Sequence, residues 1–392
     1  MEFKKAGVVG GGIMGAGIIH VLLNAGMEVG FKELDQNLVD HALYRVRKIF
    51  QGALKRGKIT EDEIQRKMSS VRGFTDDNFL SGADVVIEAV PEKMDLKIAI
   101  FQQLDRIADP RTILASNSSS LSISQLGGGI KRPSKVIGMH WFNPPHVMKL
   151  IEVISGLDTS PETVDTIFEL CKRLQKIPVR VKECAGFLVN RLLGSYVNEA
   201  IYMVEEGRSP QEVDSAAEDM GAPMGPIALG DMVGWDTIYR ANVTLYEEYG
   251  SRFAVPSLLT EVYESGRLGA KAGKGFYKYE EGKVVRERSE PAQNREKPST
   301  RYFASMINEG IRCLDENVAS SGDIDTAMKV GAGMPKGPLQ WADEIGLDRL
   351  LQQLMELKET YGERFLPSPL LKRKVAARHM GKESGLGFYQ YG

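Results

Sequence analysis

The run Ala6-Gly7-Val8-Val9-Gly10-Gly11-Gly12-Ile13-Met14-Gly15 decides how the first half of the chain folds. Residues 6–9 read as a short buried strand and 13–25 as the helix that follows it. Between them, Gly10, Gly12 and Gly15 satisfy the GxGxxG pattern. In that pattern the first glycine makes the tight turn, the second lets a pyrophosphate approach the backbone, and the third lets helix and strand pack closely. The N–H groups and dipole of the helix start then hold the diphosphate. Glu33 ends the next strand, 28–33, where a carboxylate accepts hydrogen bonds from a ribose 2′-hydroxyl and repels a 2′-phosphate. NAD is therefore favoured over NADP, although the adjacent Lys32 weakens that preference.

Outward from this run, strands are predicted over 85–90, 112–115, 136–140, 150–154 and 179–181, and helices over 37–57 and 161–175. Strands alternating with helices imply a largely parallel, doubly wound α/β sheet of Rossmann type. From Gly186 onward the chain is almost entirely helical in period. The segment 280–300 is highly charged and poor in large apolar side chains, and so reads as an exposed linker. A repeat flanks it. Arg191, Asn198 and Glu199 match Arg301, Asn308 and Glu309; Asp231 and Asp236 match Asp343 and Asp348; GKGFY at 273–277 matches GLGFY at 385–389. A period of about 110 residues is too long for a solenoid unit and indicates duplication of a whole helical domain. The predicted organisation is a nucleotide-binding domain over 1–185, a helical domain over 186–282, a linker over 283–300 and a second helical copy over 301–392.

The 392 residues exceed what one hydrophobic core usually serves, in keeping with two or three domains. With 42% apolar and 26% charged residues, the composition is that of an ordinary globular protein. A net charge of −2 offers no basic field, so nucleic acid is not expected as a partner. Cys171, Cys184 and Cys313 form no CxxC, which argues against a disulfide framework or a thiolate metal site and for a reducing cytoplasm. There is no run of about 18 apolar residues to span a membrane. The strand-like sequence beginning at Ala6 leaves no room for a signal peptide.

Of five histidines, His20 and His41 fall on predicted helices and read as structural or surface residues. His140 ends a strand and runs into Trp141-Phe142-Asn143-Pro144-Pro145, which places it where open α/β sheets bind ligands. A histidine there suits proton transfer near neutral pH. Glu152 interrupts the apolar run 150–154 and is costly to bury without a partner, for which His140 is the natural candidate. A Glu on the exposed face of an edge strand is the alternative. The serine-rich loop 116–120 follows another strand and reaches the same crevice, though most such serines only form turns. Asn190, at the start of the first helical copy, reads equally as a helix cap or a substrate contact. Its counterpart in the second copy is Thr300, which mildly favours the contact.

Taken together, GGGIMGAGI, VIEAVPE with Lys97, ASNSSSLSIS, GMHWFNPP through VMKLIEVI, GFLVNRLL, APMGPIALGDMVGWD and KAGKGFYKY resemble the 3-hydroxyacyl-CoA dehydrogenase family. The likeness extends over essentially residues 3–392 and includes the longer, multifunctional fatty-acid oxidation members. It implies NAD-dependent oxidation of a 3-hydroxyacyl-CoA, with His140 as catalytic base, Glu152 as its partner, and Ser119 and Asn190 on the substrate. It also implies cofactor contacts at Ile13, Met14, Glu33, Val90, Glu92, Lys97, Ser119, Asn143 and Lys271, and no metal. Trp141 and Pro91 depart from the residues usual in the family without removing a functional group. Arg45, Arg47, Lys48, Lys55, Arg56 and Lys58 make the following segment basic; they are candidates for the phosphates of CoA, or simply a solvated helix face.

Two rivals remain at this level. One is a dehydrogenase of another hydroxy or sugar acid, such as a 6-phosphogluconate-type enzyme, which would be expected to use a lysine base and against which the His140–Glu152 spacing counts. The other is a non-catalytic, crystallin-like member, against which Ser119, His140, Glu152 and Asn190 all count. Longer relatives carry a hydratase domain ahead of this unit, so hydration is not expected here, and a separate enoyl-CoA hydratase or thiolase is the expected partner. Single-copy relatives are expected to dimerise through the helical domain; a second copy in the same chain could cover that patch, giving a monomer or weak homodimer.

Overall fold

The computed structural model describes residues 3–280, 283–285 and 298–392. They form two compact units, Met1–Cys184 and Ala185–Gly392.

The first unit is built on eight strands: β1 (Lys5–Val9), β2 (Glu28–Lys32), β3 (Val71–Phe74), β4 (Val85–Glu88), β5 (Ile113–Ser116), β6 (Val136–Trp141), β7 (Leu150–Ser155) and β8 (Ile177–Lys182). Its helices are α1 (Ile13–Asn24), α2 (Gln36–Leu54), α3 (Glu61–Ser69), α4 (Met94–Ile107), α5 (Ile123–Gly128) and α6 (Pro161–Arg173). Strand order is β3-β2-β1-β4-β5-β6-β7-β8, so the chain reverses its direction of travel between β1 and β4. Such a switch point opens a crevice at the carboxyl ends of the strands. Strands β4, β5 and β6 are buried at every position, as a sheet covered on both faces requires. Only the β6–β7 pairing is antiparallel. The link between these two strands, 142–149, is too short for the crossover that a parallel pairing needs. Strand β8 returns parallel to β7 after α6.

The second unit begins with α7 (Val189–Glu205), α8 (Pro210–Glu218), α9 (Pro226–Val233), α10 (Trp235–Tyr249) and α11 (Ser257–Glu264), followed by the hairpin β9 (Lys278–Glu280) and β10 (Lys283–Val285). It then repeats the helices as α12 (Pro298–Asp315), α13 (Ser321–Gly331), α14 (Pro338–Ile345), α15 (Leu347–Tyr361) and α16 (Pro369–Ala376). The linker expected over 283–300 has ordered ends, in β10 and the first turn of α12, while 286–297 lie outside the described residues.

Helices α7 and α12 pack against each other, and their ion pairs are reciprocal. Arg191 on α7 reaches Glu309 and Glu316, each at 2.7 Å. Arg301 on α12 reaches the matching acids Glu199 and Glu206. The next pair follows the same rule, with Arg364 on Glu199 at 2.8 Å and Arg252 on Glu309 at 3.5 Å. Tyr249 lies under the Arg191 guanidinium and Tyr361 under that of Arg301. Both arginines are buried, so each needs these partners to offset its lost hydration. Inside each copy, an aspartate binds the next helix start. Asp214 accepts from Ile227 N and Ala228 N, and Asp325 from Leu339 N and Gln340 N. Asp231 and Asp343 likewise hold the two GxGFY loops.

Candidate active site

The glycine turn fits a dinucleotide. Gly10 has φ +96°, and a Cβ there would come within 2.8 Å of Ala89 O. A Cβ on Gly15 would collide with Gly10 O at 1.8 Å, which is the close helix–strand packing the motif requires. Gly12 differs: a Cβ there would meet nothing within 4 Å, leaving open space over the start of α1. That helix has no side-chain cap and no acid in its first turn, so its leading N–H groups are available to a diphosphate. Glu33 accepts from Gly11 N at 2.6 Å, so the carboxylate that would bind a ribose is held against the turn. Lys32 is engaged by Asp77 at 2.7 Å, which removes most of its weight against NAD. Ile13 is exposed and Met14 half-buried at the same place.

The neighbouring strand ends carry a buried polar network. Glu88 closes β4 fully buried and takes Lys97 Nζ at 2.7 Å, Ser116 Oγ at 2.6 Å and Val90 N at 2.7 Å. Lys97, 1% exposed, also lies 3.2 Å from Glu92. Glu92 in turn accepts from Ser118 Oγ at 2.5 Å, Ser119 N at 2.8 Å and Ser120 N at 3.2 Å. Burial pushes the Glu92 carboxyl up, but Lys97 and the serine donors outweigh it and hold it below the ordinary carboxylate value. Lys97 is thus an internal brace for the loop that presents Ser119. Sequence reasoning passed over Glu88, although an acid within an apolar strand is the same signal that picked out Glu152.

His140 and Glu152 stand directly opposite each other in the antiparallel β6–β7 register. Their side chains project from the same face, and Nδ1 of His140 lies 2.5 Å from Glu152 Oε2. Glu152 is fully buried and β7 is an internal strand, so the exposed-edge alternative does not apply. A carboxylate at Nδ1 places the proton there and leaves Nε2 as the acceptor, with the ring packed 4.7 Å from Phe142. The loop after β5 is tied to the end of β6 by Trp141 N donating to Asn117 Oδ1 at 3.0 Å. The ends of β1, β4, β5 and β6 therefore bring the glycine turn, Val90 and Glu92, Ser119 and His140 to one edge of the sheet, with Asn143 exposed just beyond.

Beside this edge, Ile13, Arg45, Lys48, Ile49, Arg56 and Pro144 line a cleft of about 390 Å³, mostly apolar, with Arg45 and Lys48 on α2 and Arg56 just after it. His20 is not at the strand ends. It is buried on α1 against Phe50, and burial with His146 nearby lowers its pKa to about 3. Asn190 and Lys271 belong to the second unit; Asn190 is the second residue of α7, whose N-cap is Leu188, and Lys271 is paired with Asp236. Among the described residues, no cluster of His, Cys, Asp and Glu is arranged to hold a metal, and no helix is long and apolar enough to cross a membrane.

Residues 5–184 match the family model described as 3-hydroxyacyl-CoA dehydrogenase, NAD binding domain. The model for the C-terminal domain matches twice, at 186–279 and 299–391. The fatty acid oxidation complex subunit alpha of Vibrio cholerae is 37% identical over 92% of this chain and 53% of its own length. The protein of that name from Shewanella amazonensis is 36% identical over 96% of this chain and 56% of its own. The chain thus spans about half the length of these curated relatives. Among solved structures, 3-hydroxybutyryl-CoA dehydrogenase from Escherichia coli K12 superposes with a TM-score of 0.89 at 30% identity, covering 96% of this chain and 99% of its own. (S)-3-hydroxybutyryl-CoA dehydrogenase from Ralstonia eutropha, 37% identical, gives 0.70 over 71% of this chain and 100% of its own. On the sequence and the fold alike, this chain belongs to the 3-hydroxyacyl-CoA dehydrogenase family.

Proposed function

We propose that the chain interconverts (S)-3-hydroxyacyl-CoA and 3-ketoacyl-CoA with NAD, in fatty-acid oxidation or its reverse. The observation that carries this reading is the buried His140–Glu152 pair on the strand edge that also bears the glycine turn. In the oxidising direction, His140 Nε2 takes the proton of the substrate 3-hydroxyl. Glu152 keeps the ring oriented through Nδ1 and offsets the charge of the imidazolium that forms. Bound NAD supplies the acceptor for the C3 hydride. Ser119 and Asn190 hold the substrate oxygens, which fixes the reacting carbon in place. Gly10, Gly12, Ile13, Met14, Gly15, Glu33, Val90, Glu92, Asn143 and Lys271 form the cofactor contacts, with Lys97 acting through Glu92. Arg45, Lys48 and Arg56 line the cleft suited to the phosphates of CoA.

The division of labour proposed is a nucleotide domain to about residue 185, a first helical copy that contributes Asn190, and a second copy that seals the first. The reciprocal α7–α12 pairs support a chain that needs no second molecule at that face, hence a monomer or weak dimer. Cytoplasmic residence and association with a separate enoyl-CoA hydratase or thiolase complete the proposal; the relatives named as complex subunits support the latter.

The test is oxidation of NADH with acetoacetyl-CoA, set beside free acetoacetate and beside NADPH. Turnover confined to the thioester and to NADH supports the reading. Equal turnover of the free acid, or none of the thioester, overturns it.

A further inference from the structure

Resting on that function, we infer that the first helical copy keeps an apolar pocket, open at Val233 and Thr237, for the alkyl tail of the acyl thioester, and that this pocket selects tail length. Between α7, α9 and α10 lies a pocket of about 110 Å³ whose wall is mostly hydrocarbon, with Leu193, Val197, Leu229, Ile238 and Leu245 around it and Asn190 in its lining. The second copy shows how the same fold packs when nothing has to enter. At the places of Leu193 and Leu229 it carries Phe303 and Trp341, both buried, with ring centroids 4.5 Å apart. Gly194 becomes Ala304 and Val197 becomes Ile307. Ala241 becomes Gln353, whose amide donates to the carbonyl of Thr300 at 2.9 Å, and Thr300 is the counterpart of Asn190. The fold therefore tolerates larger side chains here, while an apolar lining left open forgoes the burial they would give. A pocket lined by smaller side chains in the copy that carries the substrate-binding Asn190 has a ligand as its simplest cause. Apolar cavities of comparable size, about 150 Å³, take up small hydrocarbons readily.

One buried polar residue interrupts this lining. Asn242, 1% exposed, donates through its amide nitrogen to Ile238 O at 3.0 Å, and its oxygen has no partner among the described residues. That oxygen is already out of reach of water, so it offers an alkyl chain a poorer surface than an aliphatic side chain would. The second copy has Leu354 at this position.

The experiment measures kcat/KM for acetoacetyl-CoA and 3-ketooctanoyl-CoA in the wild type, Leu193→Phe, Ala241→Gln and Asn242→Leu. The ratio of the two constants cancels any general loss of folded enzyme. The two filling variants should lower the octanoyl-to-acetoacetyl ratio by about tenfold or more. Asn242→Leu should raise it. An unchanged ratio in both filling variants, or a wild type that turns over acetoacetyl-CoA but not the longer substrate, overturns this inference alone. A wild type inactive on acetoacetyl-CoA overturns the proposed function, and this inference with it.

Discussion

The two helical copies agree where they touch each other and differ along the apolar pocket of the first. Arg191 and Arg301, Glu199 and Glu309, Arg252 and Arg364, and Tyr249 and Tyr361 keep their identity, and together they make the reciprocal contacts between α7 and α12. Asp214 and Asp231 also persist, as Asp325 and Asp343, and hold the same helix starts and loops. By contrast, Asn190, Leu193, Leu229, Ala241 and Asn242 all change, and all of them line the pocket of the first copy. On the proposed function, the residues that hold the two copies together are thus separate from those that line the substrate's pocket, and the former recur in the second copy.

The largest expected effect lies outside both copies and calibrates them. Glu152→Gln should lower turnover by about two to four orders of magnitude with NADH binding retained, since the ring loses both its orientation and its counter-charge. Turnover within about twofold of wild type would remove the pair from the mechanism. Next come Arg191→Met and Arg301→Met, each of which strands two glutamates beside a buried face. Each should cost about 3–5 kcal/mol in urea unfolding, and the two losses should be similar. A large loss for one and almost none for the other would break the reciprocity.

Asn190→Thr installs the second copy's residue in the first and should lower kcat/KM for acetoacetyl-CoA by about tenfold to a hundredfold through one lost hydrogen bond. The mirror change, Thr300→Asn, should leave it within about twofold. Equal effects would mean that the copies do not differ in the way described.

The smallest effect at neutral pH concerns His20. Its pKa falls from 6.5 in the unfolded chain to about 3 in the folded one, so between these values the unfolded chain binds a proton that the folded chain refuses. Stability is therefore lost as pH falls below about 6.5, by at most about 1.4 kcal/mol per pH unit. His20→Gln should flatten that acid limb in unfolding curves and leave stability above pH 7 without a slope from this group. A limb as steep as wild type would place the acid sensitivity elsewhere.

Much of this was legible in sequence, for identifiable reasons. The glycine turn and Glu33 sit at fixed offsets from a strand and a helix. His140 and Glu152 announce themselves as polar residues where an apolar strand leaves no alternative to pairing. Strand β3 and helix α3 were not legible. Val71–Phe74 is an edge strand holding Arg72 and Gly73, and α3 buries only Ile64, so neither carries an apolar stripe. The role of Lys97 was hidden because it depends on how α4 returns along the end of β4 to bring the amine to Glu88. The pocket was hidden for a related reason. It depends on which side chains of α7, α9 and α10 converge, although the repeat already offered the larger residues of the second copy for comparison.

The most direct test of the central claim sets wild-type chain beside His140→Ala, with NADH-linked reduction of acetoacetyl-CoA as the readout and NADH fluorescence titration as the control. Both proteins should bind the cofactor, and the variant should lose about two orders of magnitude or more in kcat. Near-equal kcat in the two proteins would contradict it.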